Sequence, residues 1–98
     1  MLHMIVATHG PDTCPMNDAA LAKKVLAASQ RIPAVSKKLG VTVQGSWTNM
    51  PGHITFMLVD ASNAHVLNEM AIELQLMNWN TVVMYPVTTL QEALVHLK

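Results

Sequence analysis

The chain has only one cysteine, Cys14, among its 98 residues. A single cysteine cannot form an internal disulfide, which excludes the small secreted scaffolds that depend on several such bonds. Because a free thiol is typical of reducing compartments, we expect a cytoplasmic protein. The length suits one domain over 1–98, and a domain of this size buries only about two thirds of its unfolded surface. Further burial by a partner is therefore favoured.

Charged and aromatic side chains are also scarce. Only 12% of the residues are charged, and six basic residues balance six acidic ones. Such a chain lacks the positive surface that phosphate backbones require, and its one tyrosine, one phenylalanine and two tryptophans are too few for base stacking. The apolar segment 1–7 is too short for a signal peptide or a membrane span. We therefore expect neither nucleic acid nor a membrane as a partner.

Hydrophobic residues make up 51% of the chain, and their spacing predicts seven elements. Strands are predicted at 2–9, 41–48, 53–60 and 81–87, and helices at 18–39, at 63–78 and from Thr89 onward. In the first helix, apolar residues such as Leu21, Val25 and Ala28 recur at steps of three and four. Pro33 predicts either a kink in this helix or its division into two shorter ones.

The predicted order of the elements, βαββαβ followed by a short helix, is typical of the ferredoxin-like α+β fold. Right-handed crossovers then give a four-stranded antiparallel sheet in which the first and third strands are central. Helices cover one face of such a sheet, but both faces of the third and last strands are apolar. We therefore expect a homodimer that packs sheet to sheet. The alternatives are a monomer with a stronger core, or a C-terminal helix that covers the free face.

Alternation along the strands predicts which side chains share a face of the sheet. The apolar alternate residues of 54–58 are expected to face the helices. The opposite face, with His9 and His53, is then expected to line the space between the two sheets of a dimer. Tyr85 and Gln44 would complete a semi-polar pocket there, suited to a small and partly apolar molecule.

The chemically richest segment lies between the first strand and the first helix, where α/β-type folds usually place their chemistry. His9 and Cys14 bracket this segment, and His53 opens the third strand. Because the first and third strands are predicted to be antiparallel neighbours, the two histidines should meet at one rim of the sheet. Imidazole and thiolate are ligands of zinc and copper. We predict a metal site of His9, Cys14 and His53, with Asp12 orienting an imidazole. The fourth position is open to water, to a substrate, or to a weak thioether ligand from Met16 or Met50.

Other interpretations of these residues stay open. Cys14 can be a buried hydrophobic residue without a chemical role, since free cysteine often is. It also lies just before a helix N-terminus, which favours a thiolate nucleophile with His9 or His53 as its base. A third interpretation gives Tyr85 and the two histidines acid–base roles on a small ligand. The residues alone do not decide whether the protein is an enzyme.

Short motifs link the chain to a known superfamily. They are Thr8-His9, Cys14-Pro15 and Pro51-Gly52-His53. With these motifs the chain resembles the dimeric α/β barrel superfamily and, within it, a small uncharacterised family. The resemblance runs over nearly the whole chain and implies a ferredoxin-like fold and a dimer. Since the superfamily includes cofactor-free monooxygenases, isomerases, haem-using enzymes and regulatory ligand-binding modules, the resemblance implies no single activity. The first helix, interrupted by proline, and the C-terminal extension depart from the family pattern.

Overall fold

The computed structural model describes all 98 residues and contains four strands and three helices in the order βαββαβα. The strands are β1 (Leu2–Thr8), β2 (Thr42–Asn49), β3 (Ile54–Asp60) and β4 (Thr81–Pro86), and the helices are α1 (Ala19–Leu39), α2 (Ala64–Glu73) and α3 (Leu90–Val95). Short 3-10 turns occupy Pro11–Thr13, Pro15–Asn17 and Leu76–Asn78. None of the helices is long and apolar enough to cross a membrane.

The strands form one antiparallel sheet in the order β2-β3-β1-β4. The prediction of an α+β chain with the first and third strands at the centre is therefore confirmed. This arrangement is compatible with a ferredoxin-like fold. Because β1 and β3 are antiparallel neighbours, with Thr8 opposite Ile54, the end of β1 adjoins the start of β3.

Helix α1 is a single helix that continues through Pro33, without the division into two helices considered above. It begins where the Asp18 carboxylate accepts hydrogen bonds from the backbone N–H groups of Ala20 and Leu21. It ends at Gly40, whose φ of 69° is the left-handed conformation that terminates many helices. Helix α2 is shorter than predicted, because the chain leaves the helical conformation at Gln75, where φ is 57°.

The core lies between the helices and the face of the sheet that carries Ile5, Met57 and Val59. Leu67 and Met70 of α2 complete its centre. The predicted assignment of the two faces is therefore wrong, since residues expected to face a second sheet are covered by helices. Alternation instead places Ile54, Phe56 and Leu58 on the opposite face.

A buried histidine explains the error. His3 is only 1% exposed and lies on the core face between the strands and the helices. Its Nδ1 is 3.2 Å from the carbonyl oxygen of Met1, so the imidazole has a hydrogen-bond partner within the fold. A partnered polar side chain can be buried at small cost, and its presence therefore does not mark a face as solvent-exposed.

The face of the sheet without helices, here called the free face, is apolar and accessible. Trp47, Val83 and Tyr85 on this face are 57%, 41% and 51% exposed. Helix α3 does not cover it, because the side chains of Leu90, Leu94 and Leu97 are themselves exposed. The free face and α3 therefore both expose large apolar side chains to water.

Candidate metal centre

Three segments of the chain meet at one rim of the sheet, on the side that the helices cover. His9 follows the last residue of β1, and His53 precedes the first residue of β3. The backbone N–H of His9 donates to the carbonyl oxygen of His53 at 3.1 Å, which extends the pairing of these strands by one step. The predicted convergence of the two histidines is therefore observed, although on the helix side of the sheet and not on the free face.

The side chains of His9, Cys14 and His53 form a compact cluster. The ligand atoms of all three lie within 4.8 Å of one another. Nδ1 of His53 is 3.2 Å from Nε2 of His9, and the two rings meet edge to face with centroids 5.0 Å apart. Cys14 is only 6% exposed, whereas the two imidazoles are half-buried. The thiol thus lies at the inner end of the cluster and the imidazoles nearer to its opening.

Cys14 is held at the junction of two 3-10 turns. Each turn begins with a proline, Pro11 in the first and Pro15 in the second, and proline's fixed φ suits the first position of a helical turn. The Cys14 N–H donates to the carbonyl oxygen of Pro11 at 3.4 Å, and the Cys14 carbonyl oxygen accepts from Asn17 N–H at 3.0 Å. The backbone around the thiol is therefore fixed on both sides.

Asn80 orients the imidazole of His9. Its Oδ1 is 3.2 Å from Nδ1 of His9, and its Nδ2 donates to the carbonyl oxygen of Leu76 at 3.1 Å. The bond to Leu76 identifies which end of the amide is the donor. Because the remaining amide oxygen can only accept, Nδ1 of His9 carries the proton and Nε2 presents its lone pair to the cluster.

Sequence reasoning missed Asn80 and assigned its role to Asp12. Asp12 is exposed on the first 3-10 turn, and the polar partner of the His9 ring is Asn80. A signal for Asn80 is present in the strand register. Thr81 of β4 lies opposite Thr8 of β1, so the residue before β4 falls beside the residue after β1. Trp79, whose ring centroid is 5.1 Å from that of His9, was missed for the same reason.

His53 has an unusual backbone conformation. Its φ is 55°, in the left-handed region that glycine adopts without a steric penalty and that other residues adopt only at a minority of positions. The residue closes the β2–β3 turn, where its N–H donates to the carbonyl oxygen of Met50 at 3.2 Å. A histidine in this conformation costs on the order of 1 kcal/mol relative to glycine, and such strain is concentrated at functional sites.

A cavity of about 460 Å³ opens beside the cluster. His9, Cys14 and His53 all contribute to its wall, as do the predicted fourth ligand Met16 and a second methionine, Met50. On the helix side the wall is completed by Val25 of α1 and by Trp79. The cluster therefore faces a space that is large enough for water or for part of a small molecule.

Two of the predicted ligand-binding residues do not reach this cavity. Tyr85 pairs with Met4 near the other end of β1, and its side chain lies on the free face. Gln44 is an exposed residue at the irregular step in the β2–β3 pairing between Val43 and Gly45. The predicted metal ligands therefore lie together at the cavity, whereas Tyr85 and Gln44, which were predicted to line the same pocket, lie elsewhere.

The cluster has the donor set for two kinds of chemistry. Two imidazoles and a thiolate can hold zinc or copper and leave a coordination position open toward the cavity. Alternatively, a thiol near an imidazole can act as a nucleophile with a base. Asn80 fits either use, because an acceptor fixes the second ring nitrogen both of metal-bound histidines and of histidines that act as bases for a thiol. The second imidazole favours a metal, because a thiol nucleophile requires only one base.

Comparison with protein families identifies one match, and it covers the whole chain. The family model described as a domain of unknown function, DUF3303, matches residues 1–98. No curated protein matches the chain. The function therefore has to be argued from the site itself.

Proposed function

The chain belongs to the DUF3303 family, whose description names no activity, and we propose from its own residues that it is a metal-binding protein. His9, Cys14 and His53 hold one transition metal ion, zinc or copper, at the rim of the sheet. The observation that carries this proposal is the distance between donor atoms. Ligand atoms from the segment between β1 and α1 and from the residue before β3 lie within 4.8 Å of one another.

The spacing of the two imidazoles supports the proposal. Two nitrogens bound to one tetrahedral zinc ion at about 2.05 Å each lie about 3.3 Å apart. The observed separation of His53 Nδ1 and His9 Nε2 is 3.2 Å. Without a metal this contact is a hydrogen bond, in which the protonated His9 Nδ1 leaves Nε2 as the acceptor and His53 Nδ1 as the donor. On metal binding the His53 proton would move from Nδ1 to Nε2, so that the neutral imidazole offers its Nδ1 lone pair to the ion, and the rings would turn toward the ion while the nitrogen separation stays almost unchanged.

The conformation of His53 supports a role for its side chain. Glycine or asparagine would close the same turn with less backbone strain. The imidazole is instead kept at a left-handed position, where it points at His9. This orientation is consistent with the imidazole serving as a ligand.

The nature of the fourth position separates zinc from copper. Met16 lines the cavity, and a weak thioether beside two imidazoles and one thiolate is a ligand set that copper favours. Water or a substrate atom in that position would suit zinc. A reducing compartment such as the cytoplasm keeps the Cys14 thiol free for either ion.

The test is elemental analysis of protein purified without an affinity tag, followed by titration with Co²⁺ as a spectroscopic substitute for zinc. We expect one ion per chain and a thiolate-to-cobalt charge-transfer band that disappears in Cys14→Ser. His9→Ala should weaken binding strongly. His65→Ala is the matched control, because His65 is exposed on α2 and lies outside the cluster. Absence of stoichiometric metal, or equal binding by wild type and Cys14→Ser, would refute the proposal.

We further propose that two copies pack through the free face in a ferredoxin-like, sheet-to-sheet dimer. The free face exposes Trp47, Val83 and Tyr85, and residues from both central strands lie between them. A second copy would remove this apolar surface from water, and a stable interface needs about 800 Å² from each partner. Resemblance to the dimeric α/β barrel superfamily supports the same assembly. The metal centre lies on the other side of the sheet, so dimer formation leaves its cavity open.

A further inference from the structure

A second, apolar cavity lies between the sheet and the first half of α1. Its volume is about 170 Å³, and eight of its eleven lining residues are hydrophobic. Ile5, Ala7 and Met57 line it from the sheet, and Val25 and Ala28 line it from α1. We refer to this space as the α1 cleft.

The α1 cleft adjoins the cavity at the metal centre. Three residues, Val25, Thr55 and Trp79, contribute to the walls of both. Trp79 also contacts the His9 ring, with 5.1 Å between the ring centroids. The two spaces therefore lie side by side, with these three residues at their common boundary.

The sequence of α1 explains why this space is open. The buried residues of the helix, Val35 and Ser36, are in its C-terminal part, near the core. Toward the N-terminus the inward positions Val25 and Ala28 are only half-buried. Ala28 on the helix and Ala7 on the sheet are both small, so nothing fills the gap between the layers. Protein interiors are normally packed to crystal-like density, and an apolar gap beside a chemical site is therefore suited to a ligand.

We propose that the protein binds a small carboxylate with a compact apolar body, an inference that rests on the metal-binding function proposed above. The carboxylate occupies the open position of the metal, and the body occupies the α1 cleft. A dry cavity of about 150 Å³ holds one benzene molecule, so the α1 cleft fits a body of about one ring. A divalent ion bound by one thiolate and two neutral imidazoles retains one positive charge, which an anionic head group neutralises.

The test uses protein loaded with Co²⁺ and three probes: phenylacetate, acetate and benzyl alcohol. Phenylacetate combines the head group and the body, whereas acetate lacks the ring and benzyl alcohol lacks the negative charge. We expect phenylacetate to perturb the visible cobalt spectrum and to bind at least about tenfold more tightly than acetate, because its ring is removed from water. Benzyl alcohol should bind more weakly than phenylacetate. Equal affinities for phenylacetate and either other probe would overturn the proposal.

Filling the α1 cleft gives an independent measurement. Ala28→Leu should reduce the advantage of phenylacetate over acetate to within about threefold, because the larger side chain occupies the space of the ring. Ala34→Leu is the matched control, since Ala34 is exposed on the same helix and lines neither cavity. An unchanged circular dichroism spectrum and a cooperative unfolding transition verify that Ala28→Leu is folded. Full retention of the phenylacetate advantage in Ala28→Leu would show that the ring does not bind in the α1 cleft.

The two proposals fail in different ways. If the wild-type protein contains no stoichiometric metal and binds no cobalt, the metal-binding function is wrong and the carboxylate proposal falls with it. If cobalt binds with the expected dependence on Cys14 but phenylacetate gains nothing over acetate, only the carboxylate proposal is wrong. Cobalt binding is therefore measured first, on the same preparation.

Discussion

Nε2 of His9 lies 3.2 Å from Nδ1 of His53, although 44 positions separate the two residues in the chain. The antiparallel pairing of β1 and β3 brings their backbones together, and two local devices then aim the rings at each other. On one side Asn80 binds the far nitrogen of His9, and on the other the left-handed backbone turns His53 inward. Each device can be removed separately, and each removal has a distinct expected effect.

Replacing Asn80 tests whether its side-chain amide orients the His9 ring. In Asn80→Ala, His9 loses the acceptor that fixes its protonated nitrogen, and the ring can turn or change its tautomer. We expect Co²⁺ affinity to fall by about 10- to 100-fold, the range typical for loss of such a partner. The measurement is a competition titration against a chelator of known affinity.

Asn78→Ala is the control for this prediction. Asn78 is two positions away and exposed, and it has no side-chain contact with either histidine. Its replacement should leave the metal affinity within about twofold, since surface substitutions away from special features have small effects. Equal affinities for Asn80→Ala and the wild-type protein would show that the His9 ring does not depend on Asn80.

His53→Gly tests the role of the left-handed backbone at His53, because the stability of the metal-free protein and its metal affinity are measured separately. Glycine adopts a φ of 55° without a steric penalty, a relief on the order of 1 kcal/mol, while the lost hydrogen bond to His9 costs about the same. The free energy of unfolding of the metal-free protein should therefore stay within about 1 kcal/mol of the wild-type value. Metal affinity should fall by more than about 100-fold, which exceeds the range expected for Asn80→Ala, because a ligand is lost.

His9→Gly is the matched comparison, because it breaks the same imidazole pair at a position whose φ is not in the left-handed region. It should lower the free energy of unfolding by about 2–3 kcal/mol, because no strain is relieved, the hydrogen bonds to both His53 and Asn80 are lost, and glycine loses more backbone entropy on folding. Urea unfolding of both variants without metal provides the comparison. If His53→Gly loses as much stability as His9→Gly, the strain assigned to His53 is absent.

Strand order and helix positions could be predicted from the sequence because they depend on local patterns. Three- and four-residue steps identify α1, and capping and turn residues such as Asp18 and Gly40 mark its ends. Which face of the sheet the helices cover depends on tertiary packing instead. In the sequence, His3 and His9 make their side of the first strand the more polar one, which predicts that it faces away from the helices, but the carbonyl oxygen of Met1 partners the His3 imidazole inside the core.

In the candidate site, too, some residues could be predicted from the sequence and others depend on tertiary structure. His9, Cys14 and His53 were predicted together because antiparallel neighbours share a rim, and their ligand atoms do lie within 4.8 Å of one another. Asn80 belongs to the same rim through the pairing of β1 with β4. A neutral amide has no distinctive sequence signature, so its role emerges only when the register of both neighbouring strands is known.

The core itself can be tested at Leu67. This side chain is fully buried at the centre of α2, whereas Ile72 on the same helix is 57% exposed. Leu67→Ala should lower the free energy of unfolding by about 2–5 kcal/mol through lost burial and the cavity left behind. Ile72→Ala should change it by about 0.5 kcal/mol or less. Chemical denaturation of the two variants would contradict the assigned core face if the losses were similar.

The proposed dimer is tested by placing charge on the free face. In the double variant Val83→Lys, Tyr85→Lys, each copy would bring two ammonium groups into an apolar interface, where like charges also oppose each other. Because such juxtaposition costs several kcal/mol, we expect the dissociation constant to rise by about 100-fold or more. Sedimentation equilibrium should then report the mass of one chain in place of two.

Leu26→Lys is the control, since Leu26 is 63% exposed on α1 and lies away from the free face. Cobalt binding should persist in both variants, because the metal centre lies on the opposite side of the sheet. A wild-type protein that sediments as a single chain, or a double variant that remains dimeric, would exclude the free face as the interface.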